Sequence, residues 1–118
     1  PQVKQKVRAI QRDMARQRMM ADVPDSDVII TNPTHYAVAL RYRREEMDAP
    51  VVVAKGADHV ARRIREIGQE HDVPAVENPM VARSLYQVEI GSPIPEEMFK
   101  AVAEILAYVF SLKNRKES

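Results

Sequence analysis

The sequence predicts an α/β fold, a small four-stranded mixed sheet surrounded by about four helices, with a protruding basic helix at the amino end. Three observations predict it. Val28–Thr31 and the alternating run from Tyr36 to Arg43 read as two strands joined by a four-residue interruption. The apolar run Val51–Ala54, a helical stripe and the short segment Val73–Val76 read as strand, helix and strand. Two further helical patterns, from Pro79 and from Met98, close the chain.

A length of 118 residues suits one domain with one core. With 45% hydrophobic and 30% charged residues, the composition excludes a disordered or membrane-embedded class. The longest candidate span, Met98–Leu112, is interrupted by Lys100 and Glu104 and falls short of the roughly 20 apolar residues a bilayer requires. The absence of cysteine excludes disulfides, thiolate metal ligands and thiol nucleophiles, and fits a reducing cytoplasm. The chain opens on Pro1 without a signal-peptide pattern, which suggests a fragment of something longer.

Val3, Val7, Ile10 and Met14 draw one narrow apolar stripe on a helix from about residue 3 to residue 20. Net charge is +1, yet Lys4, Lys6, Arg8, Arg12, Arg16 and Arg18 stand against Asp13 alone, giving +5 in this arm and −4 in the remainder. Such an arm suits a solvated linker, an anionic membrane surface or nucleic acid. Asp22, Pro24, Asp25 and Ser26 form a turn cluster before Val28, Ile29, Ile30 and Thr31, a short buried strand. Tyr36, Val38, Leu40 and Tyr42 alternate with Ala37, Ala39, Arg41 and Arg43, the pattern of a strand with one face inward. The continuous run Val51–Ala54 predicts a central strand covered on both faces, ended by Lys55 and Gly56. Ala57, Val60, Ala61, Ile64 and Ile67 mark the inner face of a helix terminated at Gly68. Pro74 places the next strand at an edge or marks a strand start. Val81, Leu85 and Val88 form the inner side of a helix from Pro79 to about Val88. Pro95 suits the first position of the last helix, with Glu96 and Glu97 at its positive end and a polar tail from Lys113 to Ser118.

The chemistry lies between the first two strands. Asn-Pro is an ordinary turn dipeptide, and Asn78-Pro79 is a second one. Asn32-Pro33 differs in its setting between two apolar strands and in being followed by Thr34 and His35. Pro33 has no backbone N–H, so the usual attack of the next backbone nitrogen on the asparagine side chain is closed. The reverse attack is open: the Asn32 amide nitrogen adds to its own backbone carbonyl carbon, closes a succinimide and expels the Pro33 nitrogen. Holding the reacting atoms close can contribute about 7–11 kcal/mol in favourable systems. His35 suits proton transfer to or from the reacting nitrogens, and Thr34 suits orientation of the turn and polarisation of the Asn32 carbonyl. From the residues alone, a plain strand-to-strand turn and a self-cleaving turn both remain open.

Asn32-Pro33-Thr34-His35 with the following Tyr36–Tyr42 resembles the cleavage segment of the FlhB/YscU family of type III secretion switch proteins. Ala49–Gly56, Val73–Pro79, Ala82–Tyr86 and Ile94–Glu97 extend the likeness over most of residues 27–112. Ala37–Tyr42 and Ala101–Glu104 are more similar to the flagellar member than to injectisome members. The resemblance implies a transmembrane region ahead of a basic linker helix at 1–26, and a self-cleaving cytoplasmic switch domain at 27–118. It implies a position on the cytoplasmic face of the bacterial inner membrane, with the basic helix near the membrane surface. It further implies cleavage at Asn32-Pro33 as a maturation step, with the two pieces remaining associated, and a part in switching export from rod and hook subunits to filament subunits. The implied partners are export-gate membrane proteins such as FlhA, a hook-length ruler protein, and the rod, hook and filament substrates. No nucleic acid, cofactor or metal is expected. One cut per molecule without turnover is not enzyme catalysis. The alternative is a non-cleaving interaction domain of an injectisome or flagellar export gate.

Other residues have plainer readings. His59 and His71, beside Asp58 and Asp72, stand about three helical turns apart, too far for one metal, and read as surface residues. Arg62, Arg63 and Arg65 read as a solvated helix face, with a partner-binding face second. Tyr36, Tyr42, Tyr86 and Tyr108 read as core or core-edge residues.

Overall fold

The computed structural model describes residues 2–33 and 35–117; Pro1, Thr34 and Ser118 lie outside the described residues. Helix α1 (Gln2–Asp22) leads through a 3-10 turn (Val23–Asp25) into β1 (Val28–Asn32), β2 (Tyr36–Arg41) and β3 (Val51–Ala57). Helix α2 (Asp58–Glu70), β4 (Ala75–Glu77), α3 (Pro79–Leu85), a 3-10 turn (Glu96–Met98) and α4 (Phe99–Glu117) complete the described chain. The strands form one mixed sheet in the order β3-β2-β1-β4, with β1 antiparallel to β2 and parallel to β4, and β3 antiparallel to β2.

Both faces of this sheet are covered. Val28, Ile30, Val38, Leu40 and Val52 pack with Leu85 of α3 and with Val102, Ile105, Leu106 and Val109 of α4. Ile29, Ala37, Ala39 and Ala54 pack with Ala61, Ile64 and Ile67 of α2, with Met19 of α1 and with Val23 of the 3-10 turn that follows it. This corrects the one-faced reading of β2. Ala37 and Ala39 are fully buried, and their small side chains let α2 lie close to the sheet. Gly68 serves the same approach, because a Cβ there would run into Ile29 Cδ1.

The central strands are β1 and β2, and β3 is an edge, contrary to the expectation from its apolar run. That run persists because residues 91–94 cover the edge. Ser92 O accepts from Val52 N–H at 3.1 Å, Val52 O from Gly91 N–H at 2.7 Å, and Pro50 O from Ile94 N–H at 2.9 Å. Gly91 enters this segment at φ 89, where a Cβ would be strained. β3 also runs past Lys55 and Gly56 to Ala57. Its register shifts so that Ala39 faces Ala54 while Leu40 faces Val52, which leaves Val53 as the extra residue of a β-bulge. The bulge lets Val52 and Ala54 serve opposite faces although they are two residues apart. The β3–α2–β4 connection does cross over between strands of the same direction, but β2 and β1 lie between them.

Three further boundaries differ from expectation. α2 continues beyond Gly68 and ends in a Schellman arrangement, in which Val73 N–H reaches Gly68 O at 2.8 Å and Asp72 N–H reaches Gln69 O at 3.3 Å. The left-handed residue is Asp72, at φ 59. α3 stops at Leu85, three residues early, and Lys55 Nζ donates to Tyr86 O and Val88 O just beyond it, both at 2.9 Å. Pro95 is the cap of the 3-10 turn, and α4 runs on to Glu117 where a polar tail was expected.

α1 follows the expected stripe, but Val3, Val7, Ile10 and Met14 are all exposed. No helix among the described residues is long and apolar enough to cross a membrane. One packing prediction arises from Gly56. A Cβ there would overlap the Val60 side chain and stand 3.1 Å from Ala61 N. Gly56→Ala is therefore expected to cost about 1–3 kcal/mol, read as a lowered urea midpoint, and Val60→Ala to return part of that loss.

Candidate functional site

Asn32 is the last residue of β1 and pairs with Tyr36, the first of β2. Residues 33–35 alone connect them, one fewer than the sequence pattern suggested. The Asn32 carbonyl accepts from His35 N–H at 2.9 Å, which closes a tight turn and polarises that carbonyl. Pro33 and His35 are exposed, and Asn32 is half-buried.

The turn is held from several sides. Thr31 O accepts from Asn78 N–H at 2.9 Å, which ties the end of β1 to the end of β4. His35 O accepts from Asp58 N–H at 3.0 Å, at the start of α2, where Asp58 itself sits at φ 50. Pro33 O accepts from a guanidinium nitrogen of Arg65 at 2.7 Å. Tyr36 stacks on Tyr86 with ring centroids 4.4 Å apart and 28° between planes, and the His35 ring lies 6.2 Å from that of Tyr36. The other end of the hairpin is also fastened. Asp27 accepts from Tyr42 N–H at 2.7 Å and pairs with Arg43 at 2.8 Å, while Arg41 and Arg43 both meet Asp25 at 3.1 Å.

Asn78-Pro79 lies beside the first dipeptide, because Thr31 and Glu77 are register partners on parallel strands. Its role is different. Asn78 caps α3: its Oδ1 accepts from Val81 N–H at 3.2 Å, and its backbone carbonyl accepts from Ala82 N–H at 2.9 Å. Pro79 occupies the first turn of the helix. The side chain is therefore committed to the helix end.

Of the residues singled out from sequence, Asn32, Pro33 and His35 converge on this turn, and Thr34 lies outside the described residues. Sequence reasoning missed the anchoring contacts of Asp58 and Arg65. The run Arg62, Arg63, Arg65 was a visible signal, but only the fold separates its members: Arg63 pairs along its own helix with Glu66 at 3.3 Å and Glu70 at 3.9 Å, whereas Arg65 reaches the turn. His59 and His71 stand at opposite ends of α2, both exposed. Tyr36, Tyr42 and Tyr86 border the core as expected, but Tyr108 is 58% exposed on α4.

Comparison with known proteins connects the chain to relatives. The model of the family described as "FlhB HrpN YscU SpaS Family" matches residues 1–109. The chain is 60% identical over 116 residues to the flagellar biosynthetic protein FlhB of Bacillus subtilis, covering 98% of this chain and 32% of that protein. It is 59% identical over 114 residues to FlhB of Salmonella typhimurium, covering 96% and 30%. The chain thus spans about a third of the length of the curated relatives it matches. It resembles the crystal structure of the cytoplasmic domain of FlhB from Shewanella putrefaciens with a TM-score of 0.82 and 46% identity, over 86% of this chain and 79% of that one. A mutated EscU C-terminal domain with an asparagine-to-alanine change matches with a TM-score of 0.74 and 33% identity, over 77% and 92%. An EscU variant with the next residue, a proline, changed to alanine matches with 0.72 and 33%, over 76% and 90%.

Proposed function

The chain belongs to the FlhB HrpN YscU SpaS family, and from that premise we propose that it is the part of a flagellar type III export component that cuts its own backbone between Asn32 and Pro33. The observation that carries this reading is the contrast between the two Asn-Pro pairs. Asn32 sits in a clamped turn with its carbonyl polarised, and Asn78 is tied up as a helix cap.

The Asn32 amide nitrogen attacks the Asn32 carbonyl carbon, the carbon–nitrogen bond to Pro33 breaks, and one amide proton passes to the Pro33 nitrogen. The His35 N–H stabilises the oxyanion that develops on the Asn32 oxygen. The His35 side chain serves the proton transfer, and Thr34 helps set the turn. Water then opens the succinimide. Cutting between two core strands leaves both in the sheet while freeing the turn surface. That local remodelling is the proposed means by which export passes from rod and hook subunits to filament subunits. The partners that fit this role are export-gate proteins such as FlhA, the ruler protein and the export substrates. The basic arm α1, with its apolar stripe exposed, fits a place against the anionic cytoplasmic face of the inner membrane.

Intact-mass measurement of freshly made protein tests the cut. The expected result is two pieces, 1–32 and 33–118, the first initially lighter by one water because it ends in a succinimide. Proteolytic nicking would leave no such end. A chain that stays whole after long incubation at mild alkaline pH would refute self-cleavage and leave a non-cleaving interaction domain.

A further inference from the structure

Arg65 lies 32 positions from Pro33 in sequence, on a helix that contributes no residue to the turn, yet its guanidinium donates to the Pro33 carbonyl at 2.7 Å. The backbone freedom of the scissile segment makes this contact consequential. The proline ring fixes φ of Pro33, and the peptide planes fix ω. The torsion left at residue 33 is ψ, which sets where its carbonyl points. A charge-assisted bond to that carbonyl holds ψ and, with it, the orientation of the ring whose nitrogen must leave. The turn bond from His35 N–H to the Asn32 carbonyl restrains this torsion from within the turn, and Asp58 N–H holds the His35 carbonyl; the Arg65 contact adds a restraint on the Pro33 carbonyl itself from outside the turn. Arg65 is half-buried and its helix is fastened to the sheet through Ala61, Ile64 and Ile67, so the donor comes from a rigid support.

We infer that Arg65 is a positioning residue for self-cleavage, anchoring the Pro33 carbonyl so that the Asn32-Pro33 amide stays aligned with the Asn32 side chain. This rests on the self-cleaving reading above. The guanidinium touches no reacting atom and enters no bond change. It removes a rotation that would otherwise carry the leaving nitrogen out of line, and misalignments of this kind cost on the order of 10- to 100-fold in rate.

The test is a pulse-labelled cell-free translation of this chain, with the cut fraction followed on denaturing gels for wild type, Arg65→Met and Arg65→Lys. Arg65→Met keeps much of the apolar stem but loses the donor, and is expected to slow the cut about tenfold or more. Arg65→Lys keeps a donating cation and is expected to recover most of the rate. Melting temperatures measured in the uncuttable Asn32→Ala background are expected to be alike for the three residues at position 65, which separates positioning from folding. If wild type is cut and Arg65→Met is cut equally fast, the positioning role falls and self-cleavage stands. A slowed cut that tracks a lowered melting temperature and is not recovered by Arg65→Lys also overturns it. If wild type stays whole, both readings fall together.

Discussion

Asn32→Ala is expected to keep the chain whole through prolonged incubation at mild alkaline pH, whereas Asn78→Ala is expected to be cut at the wild-type rate. The two variants remove the same side chain before the same residue, proline, at the ends of neighbouring parallel strands. Local composition therefore predicts equal outcomes, and only the surroundings separate them. At Asn32 the carbonyl accepts from a turn N–H and the following proline is held from α2. At Asn78 the side-chain oxygen accepts from Val81 N–H, and a side chain that turns away to attack its own backbone gives up that cap. Losing the cap in Asn78→Ala costs about 1 kcal/mol, seen as a lowered urea midpoint with no change in the products of cleavage. Denaturing gels and intact masses of both variants decide the matter. A cut Asn32→Ala chain, or an Asn78→Ala chain that stays whole while folded, would show that the chemistry had been assigned to the wrong asparagine.

Much of this arrangement was legible in the sequence where the signal is local. The alternation around Val38 and Leu40, the apolar run at Val28–Ile30 and the helical stripes follow from periods of two and of about 3.6, and the corresponding elements form. What was hidden depends on distant partners. Ala37 and Ala39 read as the outward face of a strand because alanine carries little hydrophobic signal, yet they are the surface on which α2 rests. The run Val51–Ala54 read as central because an edge covered by another segment is as apolar as an interior strand. Gly68 read as a helix stop because glycine commonly is one, but here its missing Cβ makes room for Ile29, and Asp72 takes the left-handed position. The site divides along the same line. Asn32, Pro33 and His35 lie within four consecutive positions and were visible together, while Arg65 is brought to them by a helix whose position no local pattern specifies.

That division between local chemistry and distant support bears on what would survive the proposed cut. The severed chain is expected to remain one particle, with pieces 1–32 and 33–118 co-eluting in gel filtration under native conditions and separating only in denaturant. β1 is a central strand, paired with β2 on one side and β4 on the other. Val28, Ile29 and Ile30 are at most 1% exposed, spread over both cores. At the far end of the hairpin, Asp27 remains joined to Tyr42 N–H and Arg43 across the break. Cutting removes only the tether, so the covalent advantage of high effective concentration is lost while each strand contact persists. Weakening the strand should expose that loss. Ile30→Ala removes a fully buried side chain beneath α3 and α4 and is expected to cost about 2–5 kcal/mol. In an uncut Asn32→Ala background this only lowers the midpoint of unfolding, because β1 stays tethered. In the cut protein the same substitution is expected to let piece 1–32 dissociate on dilution, leaving 33–118 without one of the two central strands. Wild-type pieces that separate on dilution in native buffer would mean that the sheet depends on the bond between Asn32 and Pro33, and a cut that freed only the turn surface would then be ruled out as the switching device.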